Sequence, residues 1–197
     1  MKRPPARERV GVQVGGPGLH LSRFAYGDET EVAFRGAVAP TEPRRPEVVV
    51  PVWSVSDAFR EDELDVGTLA ARTWTRLAAE PRGLADLSRV NGIRDGRNCT
   101  FARASIYSDR RQDPPFEHGF SDRTTVFLKG RALYRRDDSY RSRDYRFLGS
   151  IGWSDTVVLP LDEGDNDLVV AVAEDFGGWG IQGRFTDAAG ITFGSGP

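Results

Sequence analysis

Histidine, cysteine and methionine are scarce in this chain of 197 residues, which holds two His, one Cys and one Met. A lone Cys99 cannot close an internal disulfide, so the fold does not depend on an oxidising compartment. The same scarcity leaves no His/Cys pair at the spacing that zinc sites use. Neither His20 nor His118 stands near a Gly-x-Ser-x-Gly elbow, so nucleophilic catalysis has nothing to stand on. Cys99 has no evident base beside it and reads as a buried, inert thiol. Long apolar runs are lacking as well, and none approaches membrane-spanning length. Met1 to Arg9 carries charge with no hydrophobic segment behind it and is not a signal peptide. The default compartment is therefore cytoplasmic, unless the chain is a truncated exported protein. Charge of one sign is also missing: 27 Lys and Arg against 29 Asp and Glu leave −2. No global field draws the chain towards nucleic acid or an anionic membrane.

What is present is β-type patterning, clearest between Ser121 and Phe185. Thr125-Val126-Phe127-Leu128 suits a pleated, half-buried surface. Lys129-Gly130 interrupts it, and Leu133-Tyr134 restarts it as a returning strand, which predicts a β-hairpin. Thr156 to Leu161 is a short apolar run whose Pro160 marks an edge or a strand end. Asp162 to Asn166 has the composition of a turn. Asp167 to Ala173 then reads as a strand buried on at least one face, followed by a Gly/Trp loop and the alternating Ile181 to Phe185. Val126, Leu128, Val157, Leu159, Val170 and Val172 are the expected core positions. Antiparallel strands joined by short turns, with no helical period between them, predict an all-β sandwich.

Upstream, Val48 to Trp53 opens the main domain as a strand, and Thr73 to Leu77 and Phe101 to Tyr107 supply further strands. Glu61 to Asp65 reads as a solvated acidic loop. Gly83 to Val90 stays undecided between loop and a turn of helix. Asp109 to His118, with Pro114-Pro115, reads as a surface loop.

The order of hairpin, Leu159-Pro160-Leu161, Gly164-Asp165-Asn166 and long apolar strand resembles the galactose-binding-like jelly roll. That module is the sugar-binding domain of family-two glycoside hydrolases and occurs in many accessory domains. In the family the hairpin commonly carries Asn-Gly, where this chain has Lys129-Gly130. The likeness spans roughly Val48 to Phe193 and rests on turn chemistry, so it speaks to fold more than to ligand. It implies an antiparallel jelly-roll β-sandwich over residues 48–197. Ahead of it, the segment 37–47 is rich in Pro and Arg and reads as a semi-rigid linker. Residues 1–36 read as a β-hairpin extension around Gly15-Gly16-Pro17-Gly18. That segment resembles the closing strands of a laminin-G or concanavalin-A-like sandwich, which implies a remnant of a larger protein or a truncated gene start. A decorative hairpin of the main domain is the competing reading.

Two patterns invite over-reading. Gly178-Trp179-Gly180-Ile181-Gln182-Gly183 fits Gly-x-Gly-x-x-Gly, but a dinucleotide site needs a helix after it and here a strand follows. The glycines read instead as shaping a bend or bulge. Carboxylate pairs are plentiful (Asp137-Asp138, Glu163 with Asp165, Glu174-Asp175), yet sequence proximity does not set two carboxylates across a cleft. Glu174-Asp175 stands apart because it ends a buried strand and enters the Gly/Trp loop. Structural calcium is chemically open to such folds, but no loop has a diagnostic ligand spacing. No metal, cofactor or catalytic set is therefore expected, and the chain reads as a non-enzyme.

The surface candidate is the loop from Arg131 to Gly152, which interleaves arginines with aromatics. Aromatic faces stack on sugar rings while Arg, Asp and Tyr bond sugar hydroxyls. The same composition suits single-stranded nucleic acid, or simply packs the loop onto the sandwich. The expected ligand-binding set is Tyr140, Arg143, Tyr145 and Trp153, joined by Asp175 and Trp179 from the second loop. Trp179 as a core residue under the glycines is the alternative. The function expected is a non-catalytic carbohydrate-binding or accessory module, with carbohydrate and other domains of a parent protein as partners and no nucleic acid or membrane. A structural or protein-interaction sandwich without a sugar site is the alternative, and a hydrolase fragment a third.

Overall fold

The computed structural model describes residues 47–92, 96–139 and 151–194. The N-terminal hairpin segment, most of the linker, and Tyr140, Arg143 and Tyr145 lie outside the described residues. In chain order the strands are β1 (Val48–Val49), β2 (Val52–Ser56), β3 (Trp74–Ala78), β4 (Ala85–Asp86), β5 (Cys99–Ser108), β6 (Pro115–Ser121), β7 (Arg123–Leu128), β8 (Arg131–Asp137), β9 (Asp155–Val158), β10 (Gly164–Ala173), β11 (Gly180–Phe185) and β12 (Ile191–Phe193). A one-turn helix, α1 (Ser88–Asn91), and two 3-10 segments, Glu61–Glu63 and Val66–Ala71, complete the described elements. One sheet runs β1-β11-β6-β9, with β4 added to β11. The other runs β3-β2-β5-β10-β7-β8, with β12 added to β5. Every strand pair between them is antiparallel. The protein is an all-β sandwich. Among the described residues no helix is long and apolar enough to cross a membrane.

Strand β10 shows why the sequence runs apolar without a break. Leu168, Val170 and Val172 point into the core between the sheets, alongside Trp53, Phe116 and Phe185. The alternate residues Val169, Ala171 and Ala173 face the other way and are buried too, with Phe59, Phe101 and Phe127. Leu64, Val66, Leu69 and Trp74 cover that second face. A central strand covered on both sides loses the polar alternation of a half-exposed one. All six expected core positions, Val126, Leu128, Val157, Leu159, Val170 and Val172, are buried.

The expected turn at Lys129-Gly130 forms, whereas the last three residues of the turn expected over Asp162 to Asn166 are already paired as the start of strand β10. Lys129 and Gly130 take φ of +50° and +76°, the two positive values of a type I′ hairpin turn. Lys129 also reaches Asp162 with its ammonium. At the other turn, Asn166 is buried and its amide closes the loop. Its Oδ1 accepts from Asp162 N at 2.9 Å, and its Nδ2 donates to the carbonyls of Asp162 and Gly164 at 2.8 and 2.9 Å. Strand β10 starts within that turn, at Gly164.

The segment Asp109 to His118 corrects the expectation of a surface loop. From Pro115 it is strand β6, between β11 and β9. His118 is fully buried, stacked between Phe116 and Phe120 with ring centroids 6.0 and 5.9 Å away. Tyr134 meets it edge-on at 5.2 Å. Neither ring nitrogen has a hydrogen-bond partner. Burial holds its pKa below the ordinary 6.5, with the Asp155 carboxylate opposing. The imidazole therefore stays neutral while the unfolded chain takes up a proton, so stability is full above about pH 6.5 and declines as pH falls below it. Replacing His118 by Phe is expected to flatten the dependence of Tm on pH between about 7 and 5. An unchanged slope in that scan would show that other groups set the acid response.

Candidate functional site

At one end of the sandwich three chain segments border an open cavity of about 860 Å³. Its walls are Arg60 to Asp62, Gly96 to Asn98, and the β10–β11 loop from Glu174 to Trp179. Packing beneath the second segment is polar and fully engaged. Thr100 Oγ1 donates to the Ser56 carbonyl at 2.8 Å, and Asn91 Nδ2 reaches the same carbonyl at 3.1 Å. Asn98 then joins the two outer walls. Its Oδ1 accepts from Glu61 N at 3.2 Å and its carbonyl from Glu174 N at 2.8 Å.

The β10–β11 loop is pinned along its length, although Gly177 and Gly178 give it a conformationally permissive backbone. The buried carboxylate of Asp122 accepts from the N–H groups of Asp175 and Phe176, both at 2.8 Å. Glu174 Oε1 accepts from Gly178 N at 3.2 Å. Trp179 plugs the core at the loop's end and donates its indole N–H to the Val172 carbonyl at 3.0 Å. Between these anchors the Phe176 ring is left outside, 73% exposed. A large aromatic held in water by a fixed loop is a ready stacking surface.

Charges around the cavity are coupled through Arg123, the first residue of β7. Its Nη1 and Nη2 grip the Asp175 carboxylate at 2.5 and 2.9 Å. Nη2 and Nε also hold Glu61, at 2.6 and 2.8 Å. Hydrogen bonds from Arg123 keep the Asp175 carboxyl below its usual range, and the guanidinium is itself driven above its ordinary value by Asp175 and then Glu61. Arg60 pairs with Asp62 at 2.6 Å. Glu174 behaves differently. Burial pushes its carboxyl up, the Gly178 N–H pulls the other way, and the Asp122 and Asp175 carboxylates add to the rise.

The described members of the expected ligand-binding set thus part company. Asp175 and Trp179 both line the cavity, but Trp179 is only 4% exposed and offers no open face. Trp153 is half-buried elsewhere, beneath the Arg184 guanidinium at 4.4 Å, near the far end of β11. Tyr140, Arg143 and Tyr145 lie outside the described residues, and the first part of the loop expected to carry them, Arg131–Asp137, is instead strand β8, held by its pairing with β7. Sequence reasoning passed over Phe176, Asn98 and Arg60. The available signal was an aromatic followed by two glycines just after a buried strand, and the larger indole next to them drew the choice instead. Cys99 is buried, and burial pushes its thiol up to about 12. Among the described residues no group of three or more His, Cys, Asp or Glu is placed to hold a metal ion.

The fold and site define an antiparallel β-sandwich with a loop-built cavity that carries several charged side chains and one exposed aromatic, Phe176. No family model matches the chain, and no curated protein matches it. Solved structures of the β-glucuronidase of Ruminococcus gnavus are similar to it in part. One aligns with a TM-score of 0.46 at 9% identity, covering 75% of this chain and 30% of that one. An apo structure of that enzyme gives 0.44 at 11%, with coverage of 71% and 28%. Its complex with D-glucuronic acid gives 0.45 at 10%, with 75% and 31%. The chain thus spans about 30% of the length of these glucuronidase chains.

Proposed function

We propose that the chain is a non-catalytic carbohydrate-binding module, a galactose-binding-like jelly roll that serves a larger carbohydrate-active protein. The observation that carries the reading is Phe176, exposed on a loop anchored at both ends, beside a cavity lined by Asp175, Asn98 and Arg97. An aromatic face takes the apolar side of a sugar ring, while carboxylate, amide and guanidinium bond its hydroxyls. The anchoring matters because a loop already fixed loses little entropy on binding. One stacked ring and a few hydrogen bonds are largely offset by the cost of association, so Kd should fall on the order of 0.1–1 mM.

A glycan array followed by titration at two salt concentrations tests this. A neutral sugar binds almost independently of salt, whereas a polyanion such as nucleic acid loses affinity steeply as salt rises. Phe176→Ala should abolish detectable binding and leave Tm within about 2 °C, since an exposed side chain contributes little to the core. Absence of any glycan binding by the native chain would leave a structural or protein-interaction sandwich.

A further inference from the structure

The cavity holds one carboxylate that the protein does not satisfy. Its walls carry Glu61, Asp62, Glu174 and Asp175 against Arg60 and Arg97. Arg123 binds Glu61 and Asp175, and Arg60 binds Asp62. That leaves Glu174, 9% exposed, with Oε1 on the Gly178 N–H and Oε2 buried without a hydrogen-bond partner. Arg97 is exposed at the rim. A buried acceptor without a donor is costly, and more so when it is charged.

We propose that Glu174 makes this cavity selective for amino sugars, glycans that carry a free ammonium group. The inference rests on the carbohydrate reading above and names the sugar class for the same site. A hydroxyl donates one hydrogen bond to the orphaned oxygen, whereas an ammonium brings up to three donors and the opposite charge. A uronate or sulfate would instead set a third negative group against Glu174 and Asp175, and like charges across an interface are penalised. Glu174 is among the residues that line the cavity, next to the Gly178 whose N–H it holds. Burial and the neighbouring carboxylates raise the proton affinity of Glu174 in the empty site, which an ammonium partner would reverse.

Calorimetric titration of the intact protein with three oligosaccharides decides the matter: a fully deacetylated glucosamine oligomer, its N-acetylated counterpart and a glucuronate-containing oligomer. The free amine should bind on the order of tenfold more tightly than the acetylated form, with the uronate weakest. In Glu174→Gln, which keeps an acceptor for Gly178, the amine and acetylated affinities should converge. Equal affinities in the native protein overturn the selectivity while the Phe176 site stands. A preference that survives in a folded Glu174→Gln overturns it as well, since it would then come from overall charge. If that variant does not fold, the comparison on the native chain decides alone. Failure of all three oligomers to bind overturns the carbohydrate reading and the selectivity together.

Discussion

Trp179→Ala should unfold the sandwich at a temperature roughly 10 °C below that of the native chain, corresponding to a loss of about 3–5 kcal/mol. Two contributions add. The indole is buried in the core between the sheets, so its removal opens a cavity among Val172, Leu87 and their neighbours. It also withdraws the N–H that satisfies the Val172 carbonyl at 3.0 Å. The loop above loses its lower anchor, and Leu87, whose N–H reaches the Trp179 carbonyl at 2.9 Å, loses register with it. Phe176→Ala, three residues away, should change stability little. Circular dichroism melts of the two variants make the comparison directly. A Trp179→Ala protein that melts with the native chain but no longer binds glycan would mean the indole works from the surface.

Arg123→Ala should cost about 2–3 kcal/mol and weaken glycan binding on the order of tenfold. The Arg123 side chain is 18% exposed and satisfies two carboxylates at once. Its removal leaves Glu61 and Asp175 facing each other with no cation between them. The figure sits below that for a deeply buried pair because Asp175 is 53% exposed and solvent takes up part of its charge. The effect on binding follows from geometry. Arg123 bridges the Glu61 wall to the Asp175 wall, so the cavity loses the tie that fixes its width. Arg123→Lys should not restore it, since a point charge cannot grip both carboxylates as a fork does. Hydrogen exchange at Gly177 and Gly178 would report the loosened loop, and unchanged protection there would disprove the tie. The same bridge has an acid limit. The folded pKa of Asp175 is depressed, so its contribution is present above the ordinary carboxylate value and is lost as pH falls below about 4.

The sequence by itself determined the antiparallel β class, the positive-φ reversal at Lys129-Gly130, the turn closed by Asn166, and the inward positions from Val126 to Val172. Those features are local: a period of two and the chemistry of turn residues act within a few positions along the chain. It also ruled out a dinucleotide loop at Gly178 to Gly183, which is strand β11 from Gly180 onward. Tertiary structure decided the rest. The proline-rich run ahead of His118 looked like loop, but β6 is sandwiched between β11 and β9, and pairing on both sides overrides local composition. Whether Trp179 or Phe176 faced solvent depended on which ring the core had room for, and both are apolar aromatics in one loop. The charge bridge was invisible for a related reason. Arg123 meets Glu61 across 62 residues and Asp175 across 52, and nothing in a sequence marks which of many carboxylates the folded sheets will bring to one guanidinium.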